Sequence, residues 1–342
     1  MGERFEPVRL GIAGTGFIAA VHATCAQRSP YVELVAVASA RGRASRERFH
    51  ELDPAVQLLT LDELFGSGDV EAVMVCTRTS DHAAHAVEVL KAGKHLLLEK
   101  PGAVTVSGQS LLSSAAAEHP ELVARVAYHR RHDPQFREVA ERLAAGEIGA
   151  PFAVHLTSRE DYPPSEADIT AGGFIMDVGV HDFDTARWFL GRDPTAVFAQ
   201  VHAPVYRETD VDNAYITIAL GDAAATVNLS RTSTFGMDIR CEVVGPGGTI
   251  GIAETAVGGG LTVLTSGLAG AFPDDCRARF PDAYQAQMDA FARACRGEET
   301  DGATLEEDRW AVATAVAARA SATRGERLEV GPSWDWNPAV SA

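Results

Sequence analysis

The chain has 342 residues, of which 46% are hydrophobic and 23% charged. This length predicts two domains, and the composition is typical of a globular protein. The formal net charge of −17 disfavours binding to nucleic-acid phosphates or to anionic membrane surfaces.

Cysteine usage and apolar runs narrow the class of protein further. The five cysteines include no C-x-x-C pair, which argues against a disulfide framework and against a zinc site. The N-terminus lacks the apolar core of a signal peptide, and no apolar run reaches the length of a membrane span. The cytoplasm is therefore the expected compartment, and no membrane partner is expected.

The first 125 residues alternate short apolar runs with helix-like segments. The predicted strands cover residues 8–13, 32–39, 72–76 and 95–98, and the predicted helices cover 17–28, 44–52 and 81–92. Strands that alternate with helices indicate βαβ units and a doubly wound parallel sheet. We therefore predict an α/β domain of the Rossmann type over residues 1–125.

The pattern changes after residue 125. Helices are predicted at 135–145, within 172–191, at 283–296 and at 305–324, and strands at 211–220, 224–231 and 239–244. Gly221-Asp222 and the Gly-Pro-Gly-Gly run at 245–248 read as turns between short alternating strands. Residues 126–342 are therefore predicted to form an α+β domain with a large, mostly antiparallel, open sheet.

A glycine-rich turn links the first predicted strand to the first predicted helix. Residues 14–19 read Gly-Thr-Gly-Phe-Ile-Ala and match G-x-G-x-x-A. Glycine allows a tight turn and close approach of a pyrophosphate to the helix N-terminus, where N–H groups and the helix dipole favour an anion. The residues expected to contact a dinucleotide here are Gly14, Gly16, Phe17 and Ile18.

The end of the second predicted strand bears on which dinucleotide is bound. Enzymes that use NAD commonly place an acidic residue there for the ribose hydroxyl, whereas arginine accommodates the NADP phosphate. This chain has Ser39, followed by Arg41 and Arg43, and no acid. NADP(H) is therefore favoured, with NAD(H) as the alternative; the two arginines also suit a solvated start of a helix.

Residues 77–101 carry a resemblance to a known family. They end in Ala-Gly-Lys-His-Leu-Leu-Leu-Glu-Lys-Pro, and the segment resembles the Gfo/Idh/MocA oxidoreductases, in particular the inositol 2-dehydrogenase branch. The resemblance continues through residues 130–134, 146–149, 172–184 and 238–245. It implies a dehydrogenase or reductase that acts on a polyol, sugar or ketosugar, and a homodimer or homotetramer.

The resemblance implies catalytic roles for Lys100, Asp177 and His181. Oxidation of an alcohol needs a base for the hydroxyl proton, and histidine suits that role near neutral pH. Asp177 and His181 are four residues apart, so on one helix they share a face, and the carboxylate would orient the imidazole. Lys100 would stabilise negative charge on the reacting oxygen. Each of the three also has a purely structural interpretation.

Metal catalysis is the competing interpretation of Asp177, His181, Asp182 and Asp184. It is disfavoured, because Asp182 is expected to face away from the first two and no second cluster supplies further ligands. No metal is therefore expected.

Further contacts follow from the resemblance. On the cofactor side it implies Thr77, Thr79, His82, Glu99 and Lys100, and on the substrate side Arg130, Tyr162, Phe235 and Met237 together with Asp177 and His181. Inositol dehydrogenases commonly read Y-G-Y-D where residues 235–238 read Phe-Gly-Met-Asp. The loss of two hydroxyls disfavours myo-inositol and favours a deoxy, anhydro, methylated or glycosylated ring.

Two other function classes stay open at this point. One is a glycosidase of the same fold that uses bound NAD for transient oxidation of a sugar. The other is a catalytically inactive, cofactor-sensing binding protein. Retention of Lys100, Asp177 and His181 argues against the second.

Overall fold

A computed structural model describes residues 5–39, 49, 54–161, 163–165, 172–206, 210–253 and 272–331. The chain divides into two compact units. The first comprises Met1–Ala103, Ser107–Asp133 and Asp282–Asp308, and the second comprises Val104–Val106, Pro134–Pro281 and Arg309–Ala342. The boundary after residue 125 stays a prediction about independently folding domains.

Strands and helices are numbered in chain order. The strands are β1 (Val8–Ala13), β2 (Val32–Ala38), β3 (Gln57–Leu59), β4 (Ala72–Val75), β5 (His95–Leu98), β6 (Ala124–Val126), β7 (Ala153–Arg159), β8 (Ala196–His202), β9 (Asn213–Leu220), β10 (Ala223–Ser230), β11 (Asp238–Gly245), β12 (Gly248–Ile252) and β13 (Leu328–Glu329). The α-helices are α1 (Phe17–Arg28), α2 (Leu61–Gly66), α3 (His82–Lys91), α4 (Val106–Ala117), α5 (Pro134–Ala144), α6 (Gly173–Asp177), α7 (Gly179–Leu190), α8 (Cys276–Arg279), α9 (Pro281–Cys295) and α10 (Leu305–Arg324).

The first unit contains the predicted parallel sheet. Its six strands lie in the order β3-β2-β1-β4-β5-β6, and every neighbouring pair is parallel. The residues of β4 are fully buried, as expected for a parallel strand that is covered on both faces. This confirms the doubly wound arrangement. The helix predicted at 44–52 lies outside the described residues except for Phe49.

The second unit contains a seven-stranded sheet in the order β12-β11-β7-β10-β9-β8-β13. Strands β7 and β10 are parallel, and all other neighbouring pairs are antiparallel, which confirms the expected mostly antiparallel sheet. Side chains of β9 alternate between buried and more exposed positions, as strand geometry requires when one face is packed. Gly221, in the predicted turn between β9 and β10, has a φ of 65°, a left-handed conformation that glycine adopts without strain.

Two features of the structure differ from the predicted elements. The single helix expected within 172–191 is two helices, α6 and α7, because the helix is interrupted at Val178. Within the described ranges, nine elements have no counterpart in the predicted strands and helices: β3, β6, β7, β8, β12, β13, α2, α4 and α8. Among the described residues, none of the helices combines the length and the apolar character that crossing a membrane requires.

Candidate functional site

The glycine loop follows β1 and precedes α1. Gly14 has φ of 127°, and a Cβ built on it would lie 2.2 Å from the carbonyl oxygen of Cys76, so only glycine fits. At Gly16, the N-cap of α1, an added Cβ would meet no described atom within 4 Å. The space in front of the helix N-terminus, together with the backbone dipole there, fits a pyrophosphate group.

Ser39 lies directly after β2 and is 7% exposed. Its hydroxyl oxygen accepts a hydrogen bond from Thr15 Oγ1 at 3.0 Å, which joins the glycine loop to the strand end. Because β1 and β2 are neighbours and parallel, their carboxyl ends place the glycine loop and Ser39 at one edge of the sheet. Arg41 and Arg43, the other predicted determinants of cofactor choice, lie outside the described residues.

The predicted cofactor residues after β4 lie in a turn that leads into α3. Thr77 Oγ1 is 2.9 Å from Nδ1 of His85, and Thr79 begins a 3-10 turn. His82 is 2% exposed, and its Nδ1–H donates to the carbonyl oxygen of Pro101 at 2.8 Å. Burial lowers the pKa of His82, so the neutral imidazole is the stable form.

Glu99 and Lys100 directly follow β5, the next strand along the same edge. Glu99 is 6% exposed; its Oε1 accepts from His22 Nε2 at 2.8 Å and its Oε2 accepts from the main-chain N–H of Lys100 at 3.0 Å. The Lys100–Pro101 peptide bond is cis. The main-chain N–H of Gly102 donates to Asp308 Oδ2 at 2.9 Å. Partners that are distant in sequence therefore hold both ends of this loop.

Arg130 lies in the 3-10 turn His129–His132 of the first unit and is 3% exposed. The residues beside it are anchored to α10. Tyr128 Oη donates to Asp308 Oδ1 at 2.7 Å, and Arg131 pairs with Glu307 at 2.7 Å. The turn that carries the predicted substrate residue is thus fixed by two acidic side chains.

Asp177 and His181 lie in the second unit, on either side of the interruption at Val178. Asp177 ends α6 and is partly exposed, whereas His181 lies in the first turn of α7 and is 7% exposed. The expectation that one helix carries both residues is therefore wrong. Val178 keeps right-handed helical dihedrals. The N–H of His181 donates to the carbonyl of Val178 at 3.1 Å, an i to i−3 hydrogen bond like that of a 3-10 helix.

Buried polar contacts hold α6 and α7. Asp210 accepts from the N–H of Phe174 at 2.9 Å and pairs with Arg231 at 2.9 Å, while the Arg231 guanidinium lies over the Phe174 ring. In α7, Asp182 accepts from Ser158 Oγ of β7 at 2.9 Å. These contacts fix the two segments that carry Asp177 and His181.

The predicted substrate residues 235 and 237 lie in the loop between β10 and β11. Phe235 and Met237 are both buried, and Phe235 makes an edge contact with Phe272 at 5.0 Å between ring centroids. The N–H of Met237 donates to the carbonyl of Pro273 at 2.8 Å. The side chains at positions 235 and 237 are therefore apolar, and neither carries the hydroxyl that a tyrosine would supply. Tyr162 lies outside the described residues.

Two groups of predicted residues emerge, one in each unit. The first unit brings Gly14, Ser39, Thr77, Glu99 and Lys100 to the carboxyl ends of β1, β2, β4 and β5. The second unit brings Asp177 and His181 to adjoining helix ends. In the described parts of both units, no group of three or more His, Cys, Asp or Glu side chains is placed to hold a metal ion.

Sequence reasoning missed His22 and Asp308. His22 sits among alanines on the buried face of α1, and Asp308 sits in the first turn of α10. The available signal for each was a polar residue at a position that helical periodicity assigns to a buried face.

Comparisons with known proteins cover both units. Residues 8–128 match the family described as "Oxidoreductase family, NAD-binding Rossmann fold", and residues 136–251 match the "GFO/IDH/MocA C-terminal domain". The scyllo-inositol 2-dehydrogenase (NAD(+)) of Bacillus subtilis is 32% identical over 86% of this chain and 87% of that protein. The myo-inositol 2-dehydrogenase of Thermotoga maritima is 27% identical over 92% of this chain and 96% of that protein.

A solved structure agrees with the fold. The crystal structure of a myo-inositol dehydrogenase from Corynebacterium glutamicum superimposes with a TM-score of 0.84, covering 96% of this chain and all of that chain. At 24% identity this likeness bears on the fold alone.

Proposed function

Because this chain belongs to the Gfo/Idh/MocA family of NAD-binding oxidoreductases, we propose that it transfers hydride between a nicotinamide and a secondary alcohol of a cyclitol or sugar derivative. The observation that carries the proposal is that the glycine loop and Lys100 lie at the carboxyl ends of β1 and β5, two parallel strands of one sheet with β4 between them. Dinucleotides bind at this edge in open α/β sheets. The relatives named above are dehydrogenases, which favours this activity over the glycosidase and the binding protein.

A bound nicotinamide dinucleotide would supply the hydride acceptor in the oxidative direction. The chain's own residues would bind it and handle the proton. Gly14 and Gly16 admit the pyrophosphate at the N-terminus of α1. His181 is the proposed base for the substrate hydroxyl, and Asp177 the carboxylate that orients it. Lys100 is proposed to hydrogen-bond the reacting oxygen and stabilise its developing negative charge.

The substrate is proposed to be a ring that carries fewer free hydroxyls than myo-inositol. Support comes from Phe235 and Met237, whose apolar side chains cannot pair with ring hydroxyls. A deoxy, anhydro, methylated or glycosylated ring leaves fewer polar groups without partners on binding.

The proposed function is tested by a substrate screen. The purified protein is mixed with NADP⁺ or NAD⁺ and with matched pairs of cyclitols and sugars, free or O-methylated, while nicotinamide absorbance is followed. We expect a higher kcat/KM for the substituted member of a pair. The variant pair Phe235→Tyr and Met237→Tyr should move preference toward myo-inositol. Absence of turnover with every polyol by a protein that binds the dinucleotide would contradict the proposal.

NADP(H) is the proposed preferred cofactor. The support is the absence of an acidic residue at the end of β2, where Ser39 stands, with Arg41 and Arg43 following in the sequence. Arg41→Ala should weaken NADPH binding by about 1–3 kcal/mol through loss of a charge-assisted hydrogen bond, and leave NADH binding unchanged. Ser39→Asp should reverse the preference. Fluorescence titration checks both, and tighter binding of NADH than NADPH by the parent protein would contradict the assignment.

A closed homo-oligomer that packs through the seven-stranded sheet is also proposed. The support is the outward face of β7, β9 and β10, which carries His155, Tyr215, Thr217 and Thr226 in exposed positions. Tyr215 is 49% exposed, which is high for an aromatic side chain in the middle of a strand. Light scattering at micromolar concentration should give a dimer or tetramer, and Tyr215→Lys should lower the mass.

A further inference from the structure

His22 is a fully buried, polar side chain on the helix that follows the glycine loop. It occupies the middle of α1, and its buried neighbours on that helix are Ala19, Ala23, Cys25 and Ala26. A polar ring among small apolar side chains is costly to bury unless it is hydrogen-bonded. Its Nε2 lies 2.8 Å from Glu99 Oε1, and its Nδ1 has no hydrogen-bond partner among the described residues. The ring therefore donates from Nε2 to the carboxylate.

Glu99, which accepts the hydrogen bond of His22, also contacts the main chain of Lys100. Its N–H donates to Val75 at the end of β4, and its second carboxylate oxygen accepts from the Lys100 N–H. One carboxylate thus joins the middle of α1 to the main chain of Lys100. Each carboxylate oxygen accepts a hydrogen bond from the protein, one from His22 and one from the Lys100 N–H. A shift of the Glu99 carboxylate would therefore be passed to the main chain of Lys100.

Tyr284 of α9 fixes the orientation of the His22 ring. The two rings meet edge to face with centroids 5.7 Å apart, and Tyr284 also stacks on His129 at 4.6 Å between ring centroids. Such aromatic contacts restrain both the position and the tilt of a ring. Burial and the nearby charges of Arg130 and Lys100 hold the pKa of His129 well below its usual range, so this neighbour stays neutral.

We propose that His22 is a positioning residue for Lys100: through Glu99 it holds the lysine main chain in register with the helix that binds the dinucleotide. This inference rests on the proposed dehydrogenase function. A displacement of about 1 Å at a reacting group lowers turnover by about 10²-fold, so a hydrogen bond one residue from Lys100 has a kinetic effect. A purely structural pair would alter stability alone.

Four single variants test the proposal on the full-length protein. His22→Leu removes the donor at similar volume, and His22→Gln restores an N–H near the position of Nε2. Glu99→Gln removes the charge of the acceptor, and Cys25→Ala is the matched control, since it alters a buried side chain one turn along the same helix. We expect His22→Leu to lower kcat by about 10²-fold with the NADPH dissociation constant within about 3-fold of the parent. His22→Gln should recover most of that loss, and Cys25→Ala should match the parent.

The double variant His22→Leu/Glu99→Gln shows whether the two side chains act as one unit. Coupled residues give a double variant no slower than the slower single variant, whereas independent residues give losses that multiply. We expect the first result. If His22→Leu does not fold, the kcat and the labelling ratio of Glu99→Gln, compared with those of Cys25→Ala, test the same link.

Lysine labelling gives a readout that needs no turnover. The chain has three lysines, Lys91, Lys94 and Lys100. Lys94 Nζ is buried and donates to the carbonyls of Ser67 and Val70, whereas Lys91 is exposed and serves as an internal standard. Reductive methylation followed by mass spectrometry should show a changed ratio of Lys100 to Lys91 labelling in His22→Leu and Glu99→Gln, and an unchanged ratio in Cys25→Ala.

Equal labelling ratios in the parent and in a folded His22→Leu protein would overturn the proposal, as would a kcat within about two-fold of the parent. Failure of the proposed function has a different signature, because the parent itself would then bind dinucleotide without turning over any polyol. The labelling comparison still decides the role of His22 in that case.

Discussion

The two units hold their candidate proton-transfer residues in different ways. In the first unit, the loop of Lys100 is tied to residues far away in the sequence: Glu99 to His22, and Gly102 to Asp308. In the second unit, the main chain of His181 is bonded locally, to the carbonyl of Val178 at the N-cap of α7 on one side and to the Thr185 hydroxyl on the other. The main chain beside Lys100 therefore depends on contacts with distant segments, whereas the main chain of His181 is bonded locally and its helix is held to β7 through Asp182 and Ser158. Substitution of Asp308 should therefore act on the loop of Lys100 and leave the local hydrogen bonds of His181 in place.

His181→Ala gives the largest expected effect and tests the second unit. If His181 is the base, kcat should fall by about 10²–10⁴-fold, while cofactor binding and thermal stability stay close to those of the parent. Steady-state kinetics, dinucleotide titration and a melting curve measure the three. Asp177→Asn should give a smaller loss, because it alters the base indirectly. A folded His181→Ala protein that turns over near the parent rate would assign proton transfer to another group.

Asp308→Ala tests the first unit at a distance from the reacting groups. The Asp308 carboxylate is fully buried and accepts from Gly102 N–H, Tyr128 Oη and Gln109 Nε2, so its removal leaves buried donors without an acceptor. The free energy of unfolding should fall by about 2–4 kcal/mol, measured by urea denaturation, and kcat should fall with it. Glu306→Ala, an exposed position on the same helix turn, should change neither. A stable Asp308→Ala protein with an unaltered kcat would contradict the contrast between the units.

His82→Asn gives the smallest effect and concerns pH. Burial lowers the pKa of His82 below its ordinary 6.5, so the unfolded chain binds a proton that the folded protein does not. Stability is therefore lost as pH falls through about 6.5. Asparagine keeps an N–H for the Pro101 carbonyl but does not titrate. Urea unfolding between pH 7.5 and 5.5 should show a slope lower by up to about 1.4 kcal/mol per pH unit in the variant. Equal slopes would show that His82 titrates alike in both states.

The elements that were predicted from the sequence share a strong local signal. The bounds of β1, β5, α1 and α10 agree with the structure, because apolar runs mark the two strands and helix-forming residues such as alanine recur along the two helices. Helix α4 was missed because its serines and a glycine give it low intrinsic helix propensity. Strand β7 was missed because its third inward position is Ser158, a polar residue whose partner is Asp182 on α7.

The same limit applies to the candidate site. The glycine loop could be predicted, because its function depends on a short, contiguous pattern that the structure shows as Gly14 against Cys76. The break at Val178 was not predicted, although Gly179 directly after it lowers the helix propensity at that point. The roles of His22 and Asp308 could not be predicted, because their hydrogen-bond partners lie far from them in the sequence. A single sequence does not show which distant residues are close in space.

The place of β7 in its sheet has a consequence for biosynthesis. Ala153 of β7 pairs with Ala224 of β10, and Val154 pairs with Val243 of β11, so both neighbours of this central strand are made after it. As the chain leaves the ribosome, β7 has two open edges until residues of β10 and β11 emerge. Pairings between such distant segments form slowly, and unpaired edges favour association with other chains. Nascent chains that end before residue 245 should therefore depend on chaperones more than the finished protein does.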